Sequence, residues 1–366
     1  MPKSEVVVLK TGPGTVVSDY GRLLERAGFF SGGRRGVEPS SELLVKLNLS
    51  WTRYFPACST APWQLDGVLT ALRAHGFPPE RIVPVENKTV VTDPVRGSRL
   101  NGWEPVLRRH GVTFRPLTGE RWVAFKPKAR LLVLDRIFPE GIEIPELFIG
   151  RPVLHLPTLK THGHSVTTGA VKNAFGGLLK EVRHFCHAHI HETLVDLMLI
   201  QREIHPAVWA VMDGTVCGDG AGPRTMVPVV KNLILASSDS VALDAVAAKL
   251  MGFNPLEIPY LRLCHEMGLG VADPLRIEVR GEDISGLDFG FRSRRSLVIW
   301  ADQLIRKGFL RGVEPLLLRS PLSFWAPLAS ALYHDYFWLP LIGSCRIRRF
   351  MRTEWGGLAR EYLGWS

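Results

Sequence analysis

The densest run of reactive side chains lies between His155 and Gly177, HLPTLKTHGHSVTTGAVKNAFGG. An apolar strand is expected to end at Leu156. Lys160, Thr161, His162, His164, Thr167 and Thr168 then arrive before a helical stretch that presents Lys172 and Asn173. Plain turns favour Gly, Asn, Asp and Pro, so this composition points to a ligand. Lys160 and Lys172 suit an anion such as a carboxylate or phosphate. The threonine hydroxyls and a helix N-terminus near Val166 would add donors to the same oxygens. His162, whose type titrates near pH 6.5, is placed to move a proton close to neutrality. The bland alternative is a solvated loop whose lysines face water.

Three further groups carry chemistry. Arg183–Glu192, RHFCHAHIHE, packs four histidines and Cys186 closely together. His187 and His191 are four apart and would share a helical face, a spacing used for metal ligation. With His184 they form a candidate metal set, against the alternative of a histidine-rich surface loop. Asp213 is expected to end a strand and enter a glycine-rich loop, Gly214 to Gly222. There Gly220 and Gly222 would let backbone N–H groups approach a ligand, and Asp213 or Asp219 would take a cation or a hydroxyl. Lys46 and Asn48 alternate with apolar residues in LLVKLNL and so point to one face. Asp239 reads as the N-cap of a helix starting near Val241. Asp244, inside that helix, is expected to pair with a core lysine or arginine.

The elements that position these groups read as short apolar runs alternating with amphipathic stretches. Strands are expected at Leu43–Leu49, Arg81–Val85, Leu131–Leu134, Val153–Leu156, Val208–Met212, Leu233–Ala236 and Ile277–Val279. Helices are expected at Trp63–His75, Trp103–His110, Ser165–Leu179, Ile190–Ile204 and Ser240–Met251. This alternation predicts an α/β fold, with parallel sheet flanked by helices in two lobes. Residues 1–150 would form an N-terminal α/β lobe and 151–290 a second lobe carrying the main motif. Residues 291–366 read as a helical, basic C-terminal extension rich in Trp, Leu and Pro. Within it, Pro321–Ile342 is apolar over about the length of a membrane span. It carries His334, Asp335 and three prolines, and a charge at bilayer depth costs about 2.5–3.5 kcal/mol even on lenient scales. A cap on the body, or on a second copy of the chain as a homodimer, is the favoured role.

Composition narrows the field. The 366 residues are 46% hydrophobic and 22% charged, with 45 Lys and Arg against 35 Asp and Glu, a net +10. That excludes disorder as the main state. The 35 glycines show no period of three, which excludes a collagen-like rod. Of five cysteines, the nearest two, 186 and 217, stand 31 residues apart. A disulfide framework, a zinc ribbon and a built-in iron–sulfur cluster are therefore not expected. No secretory leader is read at MPKSEVVVLK, and the cytoplasm is the expected compartment. Basic residues gather only at 32–35, 292–295 and 346–352. A nucleic-acid partner is not favoured, and a membrane-surface contact through the tail stays open.

Taken together the motifs resemble the bacterial and archaeal family known as domain of unknown function 362. Lys46-Leu47-Asn48 matches its Lys-Pro-Asn without the proline. Leu156-Pro157-Thr158-Leu159-Lys160-Thr161-His162 matches Leu-Pro-Lys-x-Lys-Thr-His with Thr158 for the first lysine. Lys172-Asn173-Ala174-Phe175-Gly176 matches Lys-Asn-x-Phe-Gly. Asp213-Gly214 with Gly220-Ala221-Gly222-Pro223, and Asp239-Ser240-Val241-Ala242-Leu243-Asp244, match the two later motifs. The resemblance covers roughly residues 40–285. It implies no single reaction, and because the family's cysteine-rich ferredoxin module is missing here, any electron donor would be a separate partner. A fainter resemblance links His162, ten residues before Lys172, to the nickel-pincer lactate racemases, in which a catalytic His stands ten residues before the cofactor-bearing Lys and a metal-ligating His follows. Gly169-Ala170-Val171 stands where that family has Gly-Gly-Arg.

The expected function is an enzyme of oxidoreductase or isomerase type that moves a proton or hydride on a small anionic substrate. His162, Lys160 and Lys172 would be catalytic, with Lys46, Asn48, Thr161, Asn173, Asp213, Gly220 and Gly222 binding substrate. The cofactor is open, a divalent metal being one choice. One alternative is a metal- or cofactor-binding protein using His184, His187 and His191 without turnover. Another is a membrane-surface or nucleic-acid partner acting through the basic tail.

Overall fold

A computed structural model describes residues 3–32, 36–89, 91–307 and 325–365. Ten strands form one sheet: β1 (Ser4–Lys10), β2 (Leu43–Lys46), β3 (Ile82–Glu86), β4 (Arg115–Pro116), β7 (Val153–His155), β8 (Thr158–His162), β9 (Val166–Thr167), β10 (Val208–Ala221), β11 (Thr225–Ser237) and β12 (Ile277–Gly281). A separate antiparallel pair joins β5 (Trp122–Phe125) to β6 (Ile142–Pro145). The main order is β12-β1-β11-β10-β7-β2-β3-β4, with β8 attached to β10 and β9 to β8. From β10 to β4 every neighbour is parallel. β11 returns antiparallel along β10 as a long hairpin, and β1 is antiparallel to β11.

Side chains of the central strands alternate between two buried faces. Leu43, Val45, Ile82 and Leu154 join a core built with the helices Val16–Arg26, Pro62–Ala74, Trp103–His110 and Glu354–Leu363. Leu44, Val83, Val85 and Val153 join a second core with the helices Ile190–Ile204, Ser240–Met251 and Pro259–Glu266. Burial on both faces explains why these strands read as continuous apolar runs. All five cysteines are free. Among the described residues, no helix is long and apolar enough to cross a membrane.

Several expected elements are corrected. Leu131–Leu134 is not a strand: the Asp196 carboxylate accepts the backbone N–H groups of Leu132, Val133 and Leu134 at 2.7–2.9 Å and folds them into the entry of a short helix, Leu134–Ile137. The expected helix Ser165–Leu179 breaks into β9 and two single turns, Ala170–Asn173 and Phe175–Leu178. Val166 adopts φ +67° at the break. Lys160, Thr161 and His162 belong to β8 rather than to a loop, because their backbone pairs with β10 and β9. Residues 214–221 are not a loop either, and of the expected stretch only Gly222 falls in the hairpin turn. They continue β10, held by β11 from Gly214↔Leu233 to Ala221↔Thr225 with one irregularity between Gly214 and Val216. Among the described residues Asp244 pairs with no cation; it takes the N–H groups of Ala170 (2.6 Å) and Val171 (3.1 Å). Asp239 caps its helix as expected, accepting from Val241 and Ala242.

Candidate active site

Three parallel strands end together. The last residue of β2 is Lys46, of β3 Glu86 and of β7 His155. In open α/β sheets the crevice beyond such carboxyl ends is where ligands sit. The Lys46 ammonium lies 3.0 Å from both oxygens of Glu86 and donates to the Leu47 carbonyl at 2.6 Å. Glu86 also accepts from the Leu49 and Asn87 N–H groups. Both partners of this pair are buried. Asn173 crosses to them, donating to the Lys46 carbonyl at 3.0 Å and meeting His155 Nδ1 at 3.3 Å. The other His155 nitrogen contacts Gln201 at 2.8 Å, and burial holds the imidazole neutral, its pKa near 3.

Lys160 reaches from β8 into the same region. Its ammonium donates to Asn48 (2.6 Å), Ser50 (3.1 Å) and the Cys58 carbonyl, and among the described residues it has no carboxylate of its own. Burial lowers its pKa to about 8, with the charge of Glu86 acting the other way. Lys172 is half-buried, and its ammonium rests 5.2 Å from the centre of the Phe175 ring, a cation–π contact. Burial, then the charges of Lys160 and Arg183, bring its pKa down to about 7. The Arg183 guanidinium lies against the same ring at 5.9 Å.

His162 is buried, and its Nδ1 accepts from the backbone N–H groups of His164 (3.1 Å) and Ser165 (3.4 Å). A backbone N–H can only donate, so the ring proton sits on Nε2. Burial first, then the charges of Lys172, His164, His187 and Lys160, push its pKa well below that of free histidine. His164 stacks on His187 at 4.7 Å, and His187 faces Phe175 at 5.9 Å. Lys160, His162, His164, Lys172, Arg183 and His187 thus surround one region that holds several basic groups, and among the described residues Glu86, already committed to Lys46, stands at its edge.

The remaining expected residues are placed as follows. Asn48 holds Lys160. The Thr161 hydroxyl donates to the Gly220 carbonyl at 2.9 Å, and Gly222 passes so close to the Thr161 carbonyl that a side chain there would collide with it. Thr161, Gly220 and Gly222 therefore tie the hairpin to β8. Asp213 accepts from Trp63 Nε1 (3.1 Å) and the Thr215 N–H (2.7 Å), beside Tyr54 and Ser59, and burial raises its pKa to about 6. Its partners are not those of the lysine cluster. The helix start expected near Val166 falls at Ala170, and Asp244 takes its first donors. Residues 181–189 form a 3₁₀ segment, so His187 and His191 do not share a helical face: His187 turns to His164, and His191 stacks on Tyr260 at 6.1 Å. The His184 side chain lies outside the described residues. Among the described ones no three His, Cys, Asp or Glu groups converge as metal ligands. Glu86, Ser50, His155 and Arg183 were not singled out in the sequence. Glu86 had a signal, standing directly after the apolar run RIVPV.

The family model for a domain of unknown function matches residues 43–249, the span that contains Lys46, Glu86, His155, Lys160, His162 and Lys172. The chain belongs to the DUF362 family. This DUF362 chain is 25% identical over 262 residues to a thylakoid-associated protein of Synechocystis sp., covering 70% of its own length and 76% of that relative. No solved structure matches it.

Proposed function

We propose that this protein is an enzyme that binds a small carboxylate or phosphate in the crevice beyond β2, β3 and β7 and moves a proton on it. The observation that carries this reading is the pair of neighbouring ammonium groups, Lys160 fully buried and Lys172 half-buried, without a carboxylate partner among the described residues. An anionic ligand would supply the missing charge, and burying like charges without one is costly.

In this reading the two site groups divide the work differently from the sequence expectation. His162, neutral with its proton on Nε2, donates a hydrogen bond to a substrate oxygen where charge develops. Lys172, with a pKa about 7, is present in both forms at neutrality and so is suited to take up and return a proton. Lys160, whose three donors go to Asn48, Ser50 and the Cys58 carbonyl, attracts the anion through its charge. A hydride version would need an acceptor bound in the same crevice.

The test is proton exchange in heavy water. A panel of small hydroxy acids, keto acids and phosphate esters is incubated with the protein, and carbon-bound hydrogens are followed by NMR. At least one substrate should lose its signal, and Lys172→Met should slow this by on the order of 100-fold, the usual worth of a general base. If no member of the panel exchanges or raises the melting temperature, the reading fails.

A further inference from the structure

The C-terminal extension presents an exposed face that the crevice does not explain. A helix runs over Trp325–Ala331 and continues through Leu332–Gly343 with wide i→i+5 turns. Pro340 lies inside the wide part, and a proline, having no N–H, favours such a departure from α geometry. With more than four residues per turn, His334, Trp338 and Gly343 fall on the inner side and are buried. Trp338 packs on Trp51 and Phe55, and Asp335 accepts from Trp51 Nε1 at 2.6 Å. The charges inside the apolar run therefore face the protein.

The outer side is apolar and open. Leu328, Leu332, Tyr336, Phe337, Leu341 and Ile342 are each at least 40% exposed, with Tyr336 at 71%. In the helix Ser344–Phe350 that follows directly, Cys345, Arg348 and Arg349 are exposed, as is Arg352 after it. None of these three arginines has a carboxylate partner among the described residues. A contiguous apolar face of this kind marks an interaction site.

We propose that this face seats the protein on the surface of an anionic lipid bilayer, with the helix lying in the plane of the interface. Charge decides for this occupant. Leucines and aromatics that give way to unpaired arginines fit acyl chains beside phosphate headgroups. A second copy of the chain would bring the same arginine ends together on a molecule already at +10. The inner side gives the docking a consequence. Phe55, which touches Trp338, is three residues from Cys58, whose carbonyl holds Lys160. The seated helix would thus lie one side-chain layer from the wall of the cationic crevice.

Flotation of the full chain with vesicles tests this. Phosphatidylcholine vesicles containing 30% phosphatidylglycerol (about a third anionic lipid, to give a surface potential) are compared with pure phosphatidylcholine. Binding is expected to the anionic vesicles and to fall at high salt. Arg348→Gln and Arg349→Gln should each weaken it about fivefold. Tyr336→Glu with Leu341→Glu should abolish it while the melting temperature stays unchanged. Two results overturn the proposal. One is no flotation with either vesicle, whether or not the protein elutes as a dimer that the Glu pair dissociates. The other is a marked loss of thermal stability in the Glu pair, which would show the face to be covered by the chain itself. Neither result touches the lysine crevice, so the proton-exchange reading stands or falls separately.

Discussion

Replacing Glu86 by Gln should unbalance the buried heart of the site. The carboxylate holds Lys46 through both oxygens and also takes the N–H groups of Leu49 and Asn87, with neither charged side chain open to water. Removing one partner of such a pair leaves a charge buried without compensation, which costs about 3–5 kcal/mol. A glutamine offers one acceptor oxygen, so it also leaves one of the two N–H groups poorly satisfied, worth about 1–3 kcal/mol in the worst case. The sum is a large part of the 5–15 kcal/mol that folded chains of this kind usually hold. Urea unfolding followed by circular dichroism, at several pH values, measures it. Burial already lowers the Lys46 pKa in the wild type, with Glu86 opposing that shift. Without Glu86 the folded-state value falls further. A lysine whose folded pKa lies below its unfolded one makes stability rise with pH between the two values, because the unfolded chain binds more protons there. The deficit of Glu86→Gln should therefore narrow at alkaline pH, as Lys46 sheds its proton. A deficit below about 1 kcal/mol at pH 7, or one that widens on going to pH 9–10, would refute the reasoning.

Three further outcomes are expected. Lys172 should react with an amine-directed acylating reagent at pH 7 much faster than surface lysines, since its pKa is about 7; mass-spectrometric mapping of the modified residues checks this. The Asp244 carboxyl has its pKa raised to about 7 by burial, so the folded chain binds the extra proton and stability should fall as pH rises from about 4 toward 7; in Asp244→Asn that slope should be gone from melts taken across the range. Leu154→Ala, in the centre of β7 and fully buried, should lower stability by about 2–5 kcal/mol, whereas His162→Gln should lose exchange activity with a smaller loss of stability, a contrast read by thermal melts alongside the NMR assay.

The sequence made the central helices legible. Ile190–Ile204 and Ser240–Met251 match residue for residue, the first as a long apolar-rich stretch and the second as an almost wholly buried helix with a side-chain cap at Asp239. The parallel strands were legible as apolar runs, with Lys46 inside one of them, but Glu86 at the end of β3 was not read. β8 hides Lys160, Thr161 and His162 in a buried strand whose partner is a distant hairpin. No local pattern reports that pairing. β1 was missed, since its run of valines was weighed only as a leader. The lysines and histidines of the crevice stood out by type and spacing. Their protonation was not, because it depends on which backbone groups face His162 and on how deeply Lys172 sits.

The sheet order also has a consequence for how the chain assembles on the ribosome. Among the described residues β1 has its neighbours in β11 and β12, and its registers run Val7↔Ala236 and Ser4↔Ile277. β2 finds β3 sooner, but its other edge waits for β7. The first strand made is therefore held open until more than two hundred further residues have emerged. Contacts this remote in sequence close slowly, and until they close, the nascent chain offers the unpaired valine edge of β1 to any extended segment nearby. A nascent chain stalled before β11 should need a chaperone to stay soluble, and one stalled after β12 should not.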